Sequence, residues 1–254
     1  MRFWRWDALG NIYVVVEQPD AGTLDAGRVR RLCDSMQGIG SDGVLEVRDH
    51  GEARAEIVIW NPDGSIAEMS GNGVRIAACW LAQRTGAAEV EIVAGGRSVQ
   101  VRMLADGRAA SDMGEVVVGP DAVVDVGEPV AITTASVGNP HAVVRLDRAD
   151  RDDLLRLGPL LEAHERFPQR TNVQLVEPVS PHDLRVLVWE RGAGETASSG
   201  SSSVAAAAVA VARGWCESPV TVHLPGGELE VAFAGRNATL TGPAAELDTG
   251  ETDI

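Results

Sequence analysis

Glu190-Arg191-Gly192-Ala193-Gly194-Glu195-Thr196-Ala197-Ser198-Ser199-Gly200-Ser201-Ser202-Ser203-Val204-Ala205-Ala206-Ala207-Ala208-Val209 is the stretch from which the rest of this chain becomes readable. A β-rich run, residues 184–189, ends in the charged pair Glu190-Arg191. Two glycines, Gly192 and Gly194, make a loop, and a hydroxyl cluster then opens a long Ala/Val segment. Ser198, Ser199 and Gly200 before an apolar helical run read as a helix start, with side-chain oxygens to cap it. Such a terminus attracts anions, because its unpaired N–H groups and the helix dipole both point at the ligand. Alone, this is a strand, a loop and a buried helix. The chain, however, contains the arrangement twice.

Residues 8–16, Ala-Leu-Gly-Asn-Ile-Tyr-Val-Val-Val, match residues 136–144, Ser-Val-Gly-Asn-Pro-His-Ala-Val-Val, with the Gly, the Asn and two Val coinciding at an offset of 128. Asn61 precedes Ser70 by nine residues, and Glu190 precedes Ser199 by nine, an offset of 129. Both blocks continue with Ser-Gly, an Ala/Val-rich helix, a strand, a Gly-Gly turn (Gly95-Gly96 and Gly226-Gly227) and another strand. Landmarks kept in register over half a chain indicate duplication of a whole domain.

The first half divides into strands at 1–18, 44–47, 55–60, 90–93, 98–104 and 109–113, a helix with apolar spacing at 26–36, and an apolar helix at 74–84 opened by Ser70-Gly71-Asn72-Gly73. A second-half helix is expected around 153–161, after the charge run at 147–153. Each half is then several short strands and one mostly apolar helix, which must be buried with the strands curled around it. The fold class expected is α/β of the α+β type: two pseudo-symmetric halves, each a curled, mainly antiparallel sheet around a central helix. The expected domains are 1–113, rejoined by 243–254, and 114–242.

The chain has 254 residues, a net charge of −15 and no Lys, so it offers no basic stripe to a nucleic acid. An acidic small molecule would be held locally, by one or two Arg and by backbone amides. Cys33, Cys79 and Cys216 share no metal-ligand spacing and read as small packed residues. The histidines at 141, 164, 182 and 223 share none either, and no metal is expected. Gly38-Ile39-Gly40 lacks the third glycine and the strand–loop–helix context of a nucleotide loop. No apolar run reaches spanning length and the N-terminus has no signal-like region, so the reading is a soluble protein of the reducing cytoplasm, with no membrane partner.

If the halves pack about a pseudo-twofold axis, the two Ser-Gly helix starts can converge on one carboxylate, with Ser70 and Ser199 flanking it. Inverting a carbon needs two such single-proton groups on opposite faces. Asn61-Pro62-Asp63-Gly64-Ser65 with Met69-Ser70-Gly71-Asn72-Gly73-Val74-Arg75, and Glu190 to Thr196 with Ser199-Gly200, closely resemble the two signature motifs of the diaminopimelate epimerase family. Leu9-Gly10-Asn11, residues 38–43, Gly138-Asn139-Pro140-His141, Asn172 and Leu224-Pro225-Gly226-Gly227 look like the same family, so the resemblance spans nearly the whole chain in order.

The resemblance implies a cofactor-independent amino-acid epimerase, an isomerase of lysine and cell-wall precursor synthesis, acting on a diamino-dicarboxylate and tending toward homodimers. It implies that helix-start amides around Gly71-Asn72 and Gly200-Ser201 hold the reacting carboxylate. By the same carry-over, Arg191, Asn61, Asn139 and Asn172 hold the far end, and Asn11 and Glu190 complete the polar pocket. The family's two acid/base groups are cysteines; here both positions are serine, Ser70 and Ser199. A serine hydroxyl is a much weaker acid than a thiol and needs an adjacent base. The expectation is a form that is inactive or strongly impaired. Deliberate Cys-to-Ser replacement, a natural non-catalytic amino-acid-binding relative, and a Ser/Ser isomerase acting on a different substrate all fit the sequence. Ser70 and Ser199 also fit as plain helix caps.

Overall fold

The computed structural model describes residues 1–254, with chain contacts dividing it into two units, 1–111 with 242–254, and 112–241. The first runs β1 (Arg2–Asp7), β2 (Ile12–Glu17), a one-turn α1 (Gln18–Ala21), α2 (Ala26–Cys33), β3 (Val44–His50), β4 (Arg54–Trp60), the short β5 (Ile66–Ala67), α3 (Gly71–Thr85), β6 (Glu89–Ala94), β7 (Arg97–Met103) and β8 (Ala109–Glu115). The second runs β9 (Val117–Asp125), β10 (Pro129–Ser136), β11 (Pro140–Arg145), α4 (Arg151–Glu162), β12 (Asn172–Ser180), β13 (Asp183–Glu190), the short β14 (Gly194–Thr196), α5 (Gly200–Ala212), β15 (Val220–Leu224), β16 (Gly227–Ala234) and β17 (Asn237–Gly242). The last strand, β18 (Ala245–Glu251), belongs to the first unit.

The duplication read from sequence is a duplication of topology. In the first unit β1 pairs antiparallel with β2, β2 parallel with β3, β3 antiparallel with β4, β4 parallel with β6, and β6 antiparallel with β7. The second unit repeats this with β10, β11, β12, β13, β15 and β16. The outer strand is also repeated: β18 pairs antiparallel with β1, and β9 with β10. The fold class is the expected strand-rich α+β, with each parallel step made by a helical crossover.

The crossover helices are held by opposite means. α2 and α4 are amphipathic surface helices, each started by an aspartate cap: Asp25 accepts the Arg28 N–H and Asp150 accepts the Asp153 N–H. α2 stops at Cys33, short of the expected residue 36. Its carbonyl ends turn back into a tight loop, where a Cβ on Gly38 would sit 1.9 Å from the Arg31 carbonyl. α3 and α5 are apolar nearly all round and sit inside their sheets, with Ile76, Ala77, Ala78 and Leu81 on α3 and Val204–Ala207 on α5 fully buried. No helix is long and apolar enough to cross a membrane.

Because α3 meets strands on several sides, truncation there leaves a cavity its neighbours cannot fill. Ile76→Ala is expected to cost about 2–5 kcal/mol of unfolding free energy, measured by urea denaturation.

Candidate active site

In the first unit, β2 and the start of α3 bring Asn11, Tyr13, Ser70 and Asn72 together. Ser70 has extended backbone angles and caps α3, its Oγ accepting the Gly73 N–H at 3.0 Å. The same oxygen accepts a hydrogen bond from the Tyr13 hydroxyl at 3.2 Å. Two residues on, Asn72 is buried and oriented by a guanidinium: Arg75 Nη2 donates to Asn72 Oδ1 at 2.9 Å, and Arg75 Nε donates to the Pro243 carbonyl at 2.9 Å. Asn72 Nδ2 in turn donates to Asn11 Oδ1 at 3.1 Å, which turns the amide nitrogen of Asn11 away from this chain of bonds. Arg75 is wholly buried; burial lowers its pKa to about 10, so it stays charged at neutral pH with Asp7 nearby to offset it. Asn61, at the end of β4, is engaged within its own turn, donating from Nδ2 to Ser65 Oγ at 2.9 Å.

The second unit uses different chemistry at the equivalent helix start. Ser199 precedes α5 with the same extended backbone, but its side chain makes no cap hydrogen bond. The reading of both serines as plain caps therefore fails at Ser199. Its hydroxyl is hydrogen-bonded to the Glu190 carboxyl instead, which also accepts from Thr196 Oγ1 at 3.2 Å. Burial pushes the Glu190 pKa up, and these two hydrogen bonds only partly pull it back. Gly200 and Ser201 form the first turn of α5, with Ser199 and Gly200 buried.

Arg191 follows directly, placed by three separate anchors. Its N–H donates to Asn172 Oδ1 at 3.0 Å, while Asn172 Nδ2 donates to the Pro140 carbonyl at 3.0 Å. Glu162, at the end of α4, accepts the Trp189 indole N–H at 2.8 Å and the Gly192 N–H at 2.6 Å, bracketing Glu190-Arg191 from both sides. Arg170 closes an ion pair with Glu162 at 2.8 Å. The guanidinium of Arg191 is exposed and touches the Gln169 carbonyl at 3.3 Å.

Asn139 is oriented by a buried histidine. His141 Nε2 lies 2.9 Å from Asn139 Oδ1, its Nδ1 lies 3.0 Å from Gln174 Nε2, and Gln174 Nε2 reaches Ser202 Oγ at 3.0 Å. Burial, with Arg191 nearby, drives the His141 pKa down to about 3, so the imidazole is neutral and fixes one rotamer of Asn139. His141, which shares no ligand spacing with the other histidines, and Tyr13, Glu162 and Gln174 stand outside the residues that the sequence assigns to the site. The offset that pairs His141 with Tyr13 was the signal for two of them.

The cysteines are all free and buried, and burial raises each thiol, that of Cys79 to about 11. None carries the acidity that the serine positions lack. No three His, Cys, Asp or Glu side chains are arranged to hold a metal ion.

The sequence pattern of a family described as diaminopimelate epimerase matches residues 3–119 and again 133–251, once in each half. A diaminopimelate epimerase of Alkalilimnicola ehrlichii is 37% identical over 99% of this chain and 98% of its own. One from Synechocystis is 35% identical over 100% of this chain and 99% of its own. Among solved structures, a phenazine biosynthesis protein from Bacillus anthracis superposes with a TM-score of 0.76, covering 100% of this chain and 99% of that one, at 13% identity, which is a likeness of fold.

The buried imidazole has a stability consequence. An unfolded histidine titrates near 6.5 and the folded one near 3, so the unfolded state binds the extra proton between those values. Stability from this group is present above about pH 6.5 and is lost as pH falls toward 3. His141→Gln is expected to flatten that part of the wild-type stability–pH profile, measured by urea denaturation at stepped pH.

Proposed function

We infer that this chain, which belongs to the diaminopimelate epimerase family, is a cofactor-independent epimerase of a diamino-dicarboxylate, with Ser70 and Ser199 as its two proton-handling groups. The observation that carries the reading is the hydrogen bond between Ser199 and the half-buried Glu190 carboxyl. A serine hydroxyl alone cannot take a proton from carbon. With its hydrogen donated to a carboxylate, its oxygen can accept the α-proton as its own proton moves to Glu190. A carboxyl whose pKa is raised is a stronger base than an exposed one, and Glu190 meets that need.

The remaining roles follow from chemistry. Helix-start N–H groups at Gly71-Asn72 and Gly200-Ser201 suit the reacting carboxylate, whose charge grows as the α-proton leaves. Arg191 offers a planar fork to the distal carboxylate. Asn11 and Asn139, each turned by a buried network, and Asn61 and Asn172, each at a strand end, serve the amino groups and fix the substrate's direction. Even with Glu190, an alkoxide-like intermediate is costlier than a thiolate, so the serine form is slow.

Proton exchange at the α-carbon of L,L- and meso-diaminopimelate in deuterated water, followed by NMR, tests this. The wild-type chain is expected to exchange and invert slowly, and Ser70→Cys/Ser199→Cys to do so at least about 100-fold faster. Glu190→Gln should lower the serine form's rate by about 100-fold or more, and remove the fall in rate seen as pH drops through the raised Glu190 pKa. Neither binding nor exchange in any form would sink the reading. Binding without exchange until the cysteines are introduced would make the wild-type chain an amino-acid-binding relative.

A further inference from the structure

The two serines do not share one kind of partner. The position that supplies Glu190 in the second half holds Asn61 in the first, and Asn61 is bonded within its own turn. The position that supplies Tyr13 in the first half holds His141 in the second, and His141 is bonded to Asn139 and Gln174. So Ser70 lacks a carboxylate and has a phenol, from the only tyrosine in the chain.

The hydrogen-bond inventory at Ser70 then decides its direction. A hydroxyl has two acceptor sites and one hydrogen. The Tyr13 O–H and the Gly73 N–H both point at the Ser70 oxygen, which leaves its own hydrogen to be given away. At Ser199 the order is reversed, since a carboxylate only accepts and the serine hydrogen is the one donated. The space for Tyr13 is built in: a Cβ on Gly43 would lie 2.6 Å from Tyr13 Cε1 and 2.5 Å from the Trp60 carbonyl, so only glycine leaves the ring its slot. Tyr13 itself is buried on β2 opposite Trp6 of β1.

We propose that Tyr13 is the proton source behind Ser70, so that the protein rests with its first half charged as acid and its second as base. The proposal rests on the epimerase reading above. The carbanion at the α-carbon takes the Ser70 hydroxyl proton: a C–H bond forms and the Ser70 O–H bond breaks. The Ser70 oxygen takes the phenolic proton in the same motion, leaving Tyr13 as phenolate. One negative charge thus moves from carbon to the phenolate, and a proton from solvent water restores the phenol. A phenol, with an ordinary pKa near ~10, is a far better final acid than an aliphatic hydroxyl. The Gly73 N–H, at the positive end of α3, stabilises the serine oxygen while it is proton-deficient.

The elements packed against β2 carry Arg2, Arg5 and Asp7 on β1, Asp42 before β3, Glu46, Arg48, Asp49 and His50 on β3, and Arg75 and Arg84 on α3. Asp7 lies in the field of Arg75 and accepts the Gly10 N–H, Asp42 accepts the Ile12 N–H, and Glu46 accepts the Trp60 indole N–H. Tyr13 is the group of this set bonded to Ser70.

The test is Tyr13→Phe in two backgrounds, the wild-type chain and Ser70→Cys, with α-proton exchange and inversion of diaminopimelate followed against pH. In the serine background, the phenylalanine form should invert about 100-fold more slowly with unchanged substrate binding, and lose the decline in rate that ionisation of the phenol imposes at high pH. In the Ser70→Cys background the substitution should have little effect, because a thiol supplies its own proton. A penalty of equal size in both backgrounds would make Tyr13 a packing residue and overturn the relay. An unchanged rate and pH profile in the serine background would overturn it too, leaving the epimerase reading intact. A wild-type chain that binds diaminopimelate but exchanges nothing also overturns the relay, whereas absence of both binding and exchange in every form overturns the epimerase reading itself.

Discussion

Each of the two helix starts depends on one constraint, that the apolar helix of its unit is buried on nearly every side. Such a helix has no freedom to rotate or slide, since any shift would expose Ala and Val faces to water or drive them into the surrounding strands. Its first residue is therefore fixed in space with core precision. α3 and α5 put Ser70 and Ser199 at those fixed points, with the free N–H groups of a helix start alongside. Rigid placement of small polar groups is what proton transfer to and from carbon requires.

The same burial tunes the groups nearby. It costs Arg75 part of its basicity, holds His141 neutral and raises Glu190, three consequences of removing a charge from water. Each of the three is also locked by hydrogen bonds, and each passes that order on: Arg75 to Asn72 and Asn11, His141 to Asn139, Glu190 to Ser199. Glu162 does the same for the loop that presents Arg191, by holding Trp189 and Gly192 on either side of it. Glu162, which lies outside the two signature stretches, thus decides how the loop within one of them is presented.

The two halves show how a duplicated scaffold can diverge without changing its fold. Strand pairing is repeated from one unit to the other. The serine partners are not. A phenol stands behind one hydroxyl and a carboxyl behind the other, drawn from positions that do not correspond in the duplication. An inversion needs one donor and one acceptor at any instant, so unlike partners suit it better than a symmetric pair.

Sequence alone determined the duplication, most of the first half's main strands, the two buried helices and the serines at their starts, because these rest on local pattern: apolar periodicity, Gly-rich turns and spacings repeated along one chain. It also singled out Asn11, Asn139, Glu190 and Arg191, whose placement in the repeated motifs is visible without coordinates. What it could not decide was which groups touch. Tyr13 lies 57 residues from Ser70, and Gln174 lies 33 from His141. Nothing in a local pattern distinguishes a serine that caps its helix, as Ser70 does, from one that turns its hydroxyl to a carboxyl, as Ser199 does. Hydrogen-bond direction and pKa depend on distance and burial, and only the folded chain sets those.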